Sequence, residues 1–125
     1  MLAIMGLLAA PAVSEDRRYP AVLVRVVDGD TLRADLDLGA EVTLKGQALR
    51  VLGIDAPELR EPGGRAAKEA VEKFLSGKKL KVELHGKEKY GRWLADVFAD
   101  GENLAFWMLK NGYAKPYQIA HRRRR

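Results

Sequence analysis

The sequence predicts an α+β chain, mainly β, in which a small five-stranded barrel carries two helices. Three observations point there. Apolar residues alternate, or run in short β-branched stretches, between turn dipeptides. Residues 65–75 change to a helical period. The chain has 125 residues, 47% hydrophobic and 31% charged, which is enough for one domain with a real core and too few for two.

Residues Met1 to Val13 are apolar or small, and the run is too short to span a bilayer. Its Ala10-Pro11-Ala12 ending looks like the rear of a secretory signal cut after Ala12, which predicts a secreted or periplasmic protein. Residues 1–18 are then signal remnant and linker, Ser14 to Tyr19 being a charged stretch, and the domain spans 19–117. Val22, Leu23, Val24, Val26 and Val27 form the first strand, stopped by Asp28-Gly29, a hairpin signal. Thr31 to Leu36 resumes with alternation, and Leu38-Gly39 closes it. Val42 to Leu44 is a short strand with Lys45-Gly46 as its turn. Ala48 to Ile54 is another, stopped by Asp55-Ala56-Pro57. Ala66, Ala67, Ala70, Val71, Phe74 and Leu75 share one helix face between Gly63-Gly64 and Ser76-Gly77. Leu80, Val82 and Leu84 alternate as a strand, and Leu94 to Phe98 is the next, with a turn at Asp100-Gly101. Asn103 is placed to cap a second helix, Leu104 to Lys110, with Gly112 as its C-cap. Residues 118–125 form a basic tail expected to be disordered. This order fits a small barrel such as the oligonucleotide-binding fold, and periodicity alone leaves other α+β arrangements open.

The net charge is +5, but Arg122 to Arg125 supply four of it and the body is close to neutral. Overall basicity therefore argues for no nucleic-acid partner; a local patch would be required. The absence of cysteine excludes disulfides and thiolate metal sites. With His85 and His121 the only histidines, a zinc site would rest mostly on carboxylates.

Four segments carry chemistry: Asp28-Gly29-Asp30-Thr31, Arg50, Asp55-Ala56-Pro57-Glu58 and Tyr90-Gly91-Arg92. Each has an ordinary explanation. Asp28-Gly29 suits a hairpin turn through its backbone behaviour. Asp55 and Pro57 can shape a turn, and Glu58 can be a solvated acid. Arg50, inside an apolar strand, can form an internal salt bridge. Arg92 closes a charged loop with Lys87, Glu88 and Lys89. Trp93, Phe98, Phe106 and Trp107 are expected in the core, and Lys68, Glu69, Glu72 and Lys73 on a solvated helix face. Together, however, acids at strand ends supply hard oxygen ligands that suit Ca²⁺ or Mg²⁺. Two guanidinium forks suit a phosphate. That combination is a site for cleaving a phosphodiester.

In this order the segments resemble the staphylococcal nuclease (thermonuclease) family. The match is carried by Val26 to Thr31, Arg50 to Glu58, Lys89 to Arg92, and Asp100-Gly101 followed by the second helix and Gly112-Tyr113-Ala114-Lys115. The resemblance implies an oligonucleotide-binding-type barrel and calcium-dependent endonuclease activity on DNA and RNA, leaving 3′-phosphates. It implies Asp30, Asp55 and the backbone carbonyl of Ala56 as calcium ligands, with Asp28 and Thr31 behind them. Ala56 stands where the family more familiarly has Thr, which a carbonyl ligand tolerates. Glu58 matches the general base or water-organiser. Arg50 and Arg92 match the phosphate-binding arginines, and Lys89 and Tyr90 a pair that contacts a terminal phosphate. Tyr117 is the nearest counterpart of the tyrosines that hold the nucleoside. A monomer without stable membrane association is expected. Two other classes remain open at this point: a non-catalytic nucleic-acid-binding barrel with structural acids, and a module that docks modified arginine or a protein tail. The second needs an aromatic cage, and no clustered aromatics demand one.

Overall fold

The computed structural model describes residues 17–118; the segment read as a signal, His121 and the Arg122–Arg125 tail lie outside them. The elements are β1 (Arg18–Asp28), β2 (Thr31–Gly39), β3 (Val42–Val51), β4 (Ile54–Asp55), α1 (Gly64–Leu75), β5 (Leu80–Lys87), β6 (Trp93–Ala99), β7 (Glu102–Asn103), α2 (Leu104–Lys110) and β8 (Lys115–Pro116). β1 pairs antiparallel with β2 and β5, β2 with β3, and β5 with β6. A parallel pairing of β3 with β6 closes the ring. The predicted five-stranded barrel with two helices is what the chain forms. Among the described residues no helix is long and apolar enough to cross a membrane.

Strand parity builds the core. On β2, Leu32, Ala34 and Leu36 are buried, while Arg33 and Asp37 between and beyond them are exposed. Leu49 and Val51 of β3, Val82 of β5 and Val97 of β6 complete a fully buried interior. Register shifts in β1–β2 and β2–β3 bend the strands enough to close.

The structure corrects several boundaries. β1 begins at Arg18, so the charged linker ends sooner than read, and Tyr19 pairs with Val82. Lys45-Gly46 is no turn: β3 runs through it as one strand. Gly46 adopts φ +61° and its N–H donates to Asp35 Oδ1 at 2.7 Å, so a turn-like dipeptide absorbs a bulge instead. The predicted strand to Ile54 breaks at Leu52-Gly53, and β4 pairs separately with β8. β5 continues to Lys87 and places His85 inside a strand.

α1 starts at Gly64, where an added Cβ would collide with the Glu58 carbonyl. Asn103 caps α2 as expected, its Oδ1 accepting the Phe106 N–H at 3.1 Å. The C-cap is Asn111, and Gly112 lies one position beyond it at φ +77°. There the Tyr113 N–H donates to Met108 O and the Gly112 N–H to Leu109 O, a Schellman closure. Trp107 stacks between Phe74 of α1 and Tyr113, with centroids 4.5 and 5.6 Å away, which ties the two helices together. The expectation of four core aromatics holds in part: Trp93 and Trp107 are half-buried against the core, Phe98 is half-buried outside it, and Phe106 is 75% exposed.

Candidate active site

Asp28 and Thr31 face each other at the end of β1–β2, so Gly29-Asp30 is a two-residue hairpin. Gly29 is required here for space. A Cβ on it would lie 2.6 Å from Ala56 Cβ, 3.1 Å from Ala67 Cβ of α1 and 3.3 Å from Met108 Cε of α2. The hairpin tip is thus wedged between the 55–58 segment and both helices.

That contact places Asp30. It is buried, and its Oδ2 accepts the Ala56 N–H at 2.9 Å while its Oδ1 accepts the Thr31 hydroxyl at 3.1 Å. Arg50 faces Thr31 across β2–β3 and is also buried. Its Nη1 donates to Val51 O at 2.8 Å and Ile54 O at 3.0 Å, and lies 3.7 Å from Asp30 Oδ2. Its Nη2 lies 3.8 Å from Asp55 Oδ1, on a side chain 44% exposed. The internal ion pairs expected of a buried arginine are therefore present, and they turn its fork toward the partly open Asp55.

Arg92 comes from the opposite side. Its Nη1 donates to Thr31 Oγ1 at 3.4 Å and its Nη2 to Glu88 Oε2 at 2.8 Å. Its Nε is buried with no hydrogen-bond partner among the described residues. Glu88 organises the whole turn: its Oε1 accepts the N–H groups of Tyr90 and Arg92 at 2.9 and 3.1 Å. The hydrogen bond from Arg92 lowers the Glu88 carboxyl below its usual range, and Glu88 in turn raises Arg92. Sequence reasoning left Glu88 among solvated loop charges; the signal was its place four residues before Arg92.

Glu58 does not touch this cluster directly. It is exposed and shares a cleft of about 750 Å³ with Asp55, Ala56, Glu61, Tyr113 and Lys115. Its N–H donates to Glu61 Oε1 at 2.7 Å and its carbonyl accepts the Glu61 N–H at 2.8 Å, which holds the loop. Tyr117 is fixed by the β4–β8 pairing and by its N–H on Gly53 O at 3.0 Å. Its ring lies 5.7 Å from the Arg50 guanidinium. Lys89 and Tyr90 sit exposed on the turn before Arg92, with the ammonium 5.2 Å from the ring.

Asp28 and Asp30 crowd one another. Burial, then the hydrogen bond and charge of Asp30, push the Asp28 carboxyl up to about 6. A cation would relieve this crowding, and the oxygen donors of Asp30, Asp55 and the Ala56 carbonyl fit a hard one such as Ca²⁺. Among the described residues, the one group of three acid or histidine side chains with ligand atoms within 4.8 Å of one another lies elsewhere, at Glu83, His85 and Asp96. His85 Nε2 lies 2.9 Å from Asp96 Oδ2 and 3.6 Å from Glu83 Oε2 there.

The raised Asp28 makes a pH prediction. A folded-state pKa above the unfolded value of 3.8 means that the folded chain holds this proton more tightly. Stability from this group is present below about pH 4 and is lost as pH rises toward about 6. In chelator, Asp28→Asn should remove that decline and melt higher than the parent at pH 7–8, because Asn keeps an acceptor for the Asp30 N–H and lacks the charge. Melting curves from pH 4 to 8 check this; parallel curves for parent and variant would refute it.

Residues 48–125 match the family described as staphylococcal nuclease homologue. The chain is 44% identical over 79 residues to a probable staphylococcal-like nuclease of Oryza sativa subsp. japonica, covering 63% of this chain and 24% of that protein. It is 34% identical over 97 residues to an uncharacterized endonuclease of Escherichia coli O157:H7, covering 77% and 60%. It is 34% identical over 101 residues to the thermonuclease of Staphylococcus hyicus, covering 74% and 56%. The chain spans about a quarter of the length of the rice relatives it matches.

Proposed function

Because this chain belongs to the staphylococcal nuclease family, we propose that it is a calcium-dependent endonuclease that hydrolyses phosphodiester bonds of DNA and RNA and leaves 3′-phosphates. The observation that carries this is the meeting of Asp30, Asp55, Arg50 and Arg92 around one hairpin tip, with Arg92 Nε buried and unpartnered among the described residues. Asp30, Asp55 and the Ala56 carbonyl would hold the calcium, which supplies Lewis-acid neutralisation of a non-bridging phosphate oxygen.

The chain's own residues do the rest. Arg50 and Arg92 bind the charge that grows on the equatorial oxygens, and both forks are oriented in advance by Asp30, Asp55 and Glu88. Glu58, exposed in the adjoining cleft, accepts a proton from the attacking water or orients it. Tyr117, beside Arg50, lies against the nucleoside of the cleaved unit.

Digestion of plasmid, single-stranded DNA and RNA with Ca²⁺, with Mg²⁺ and with chelator tests the proposal. Internal cleavage is expected with Ca²⁺ and none in chelator. Cleavage that persists in chelator would remove the metal. Cleavage under none of the three conditions would leave a nucleic-acid-binding barrel.

A further inference from the structure

A second cleft, of about 430 Å³, opens beside Arg92. Arg25, Arg33, Gln47, Lys87, Tyr90 and Arg92 line it, and no acidic residue does. Arg25 and Arg33 stand directly opposite each other in the β1–β2 ladder. Like charges in that position repel. Neither forms an ion pair among the described residues, and nor does Lys87. The one nearby acid of the turn, Glu88, is turned to Arg92 at 2.8 Å.

The cleft is built and held. Arg33 Nη1 donates to Gly46 O at 2.7 Å, which lays its guanidinium along the wall. Trp93 Nε1 donates to Gln47 Oε1 at 2.9 Å, and Lys87 Nζ sits 5.0 Å from the Trp93 ring. At the rim the Tyr90 ring is 74% exposed. The cleft is also continuous with the site. Thr31 and Arg92 line it, and Thr31 Oγ1 is bonded to Asp30 Oδ1. Thr31 and Arg33 share one face of β2, and residues two apart on a strand are about 6.8 Å apart. That is the scale of one step along an extended polynucleotide.

We propose that this groove is the track for a single polynucleotide strand leaving the cleavage site, with the Arg25–Arg33 pair seating a phosphate beyond the cleaved one and Tyr90 stacking an unpaired base. An exposed ring at a basic rim, with the Lys89 ammonium 5.2 Å from its centroid, recruits bases that have an open face, which only a single strand offers. The track rests on the phosphodiesterase reading for its role, and on the groove alone for its existence.

Binding in chelator, where no turnover is needed, separates the two. Anisotropy of a labelled ten-nucleotide single strand is measured against salt for the parent and for Arg25→Gln/Arg33→Gln. The double variant should bind the strand roughly tenfold more weakly at low salt and flatten the log–log salt slope by about 0.7, the share of one phosphate contact on a single strand. A labelled dinucleotide, too short to reach Arg25, should bind both proteins alike. The variant should melt no lower than the parent, since it relieves the Arg25–Arg33 repulsion. An unchanged slope, or equal loss for strand and dinucleotide, would overturn the track. Normal slope loss in a protein that cleaves nothing would keep the track and remove the nuclease.

Discussion

Arg92→Lys is expected to lower kcat on single-stranded DNA with Ca²⁺ by roughly 100- to 1000-fold, the loss that follows removal of one preorganised transition-state donor. KM should change far less. Arg92 is the cleaner of the two arginines to test. Arg50 is buried with Nη1 shared by two backbone carbonyls, so its lysine variant would orphan Val51 O or Ile54 O and lose stability too. Arg92 is a third exposed, and its fork is held by Glu88 Oε2 and Thr31 Oγ1 before anything binds. Lysine keeps the charge and loses the fork. Its ammonium would also be free to collapse onto Glu88. Glu88→Gln keeps an acceptor for the Tyr90 and Arg92 N–H groups and removes the charge that aims the guanidinium, so its kcat should fall between those of the parent and the lysine variant. A lysine variant with the parent's kcat would show that a point charge suffices. A fall in kcat matched by a fall in melting temperature would make Arg92 structural.

Much of this arrangement was legible in the chain. Helical spacing located α1, and Asn103 and Gly112 bracketed α2, because caps and periodicity are local signals. The order of acids and arginines marked the residues that the fold brings around one hairpin. What was missed depends on distant partners. Lys45-Gly46 has the composition of a turn, and only its bond to Asp35 shows that it is a bulge in one continuous strand. β4 and β8 are two residues each, too short for any period, so the position of Tyr117 beside Arg50 had no sequence signature. Glu88 looked like a solvated charge because two of its partners are backbone N–H groups, which every sequence offers equally, and only its spacing four residues before Arg92 marked the third. Phe106 was expected inside because it is aromatic, yet it sits on the face of a short helix turned from the barrel.

Gly29 is the position where composition suggested the wrong cause, and its substitution has the other large expected effect. Glycine in Asp28-Gly29 invites an explanation from left-handed backbone. Yet Gly29 is absent from the positive-φ residues among those described, which include nine other glycines. Its requirement is steric: an added Cβ would meet Ala56 Cβ at 2.6 Å, with Ala67 and Met108 closing the other sides. Gly29→Ala should therefore cost about 1–3 kcal/mol, as overpacking does, and lower the melting temperature by roughly 5–20 °C. The strain falls on the site. Helices stand behind Gly29, so the segment bearing Ala56 is the part that moves, and the Ala56 N–H is bonded to Asp30 Oδ2 at 2.9 Å. Calcium affinity should drop with stability, although no proposed ligand side chain has been changed. Ala56→Gly in the same chain removes the closest contact and leaves the backbone carbonyl, so the double variant should recover calcium affinity, and part of the stability, relative to Gly29→Ala alone. Calorimetry of Ca²⁺ binding and a melting curve on the three proteins decide it. If Gly29→Ala binds calcium as the parent does, the hairpin and the Ala56 segment are not set by their mutual contact, and the cation site is positioned by something else.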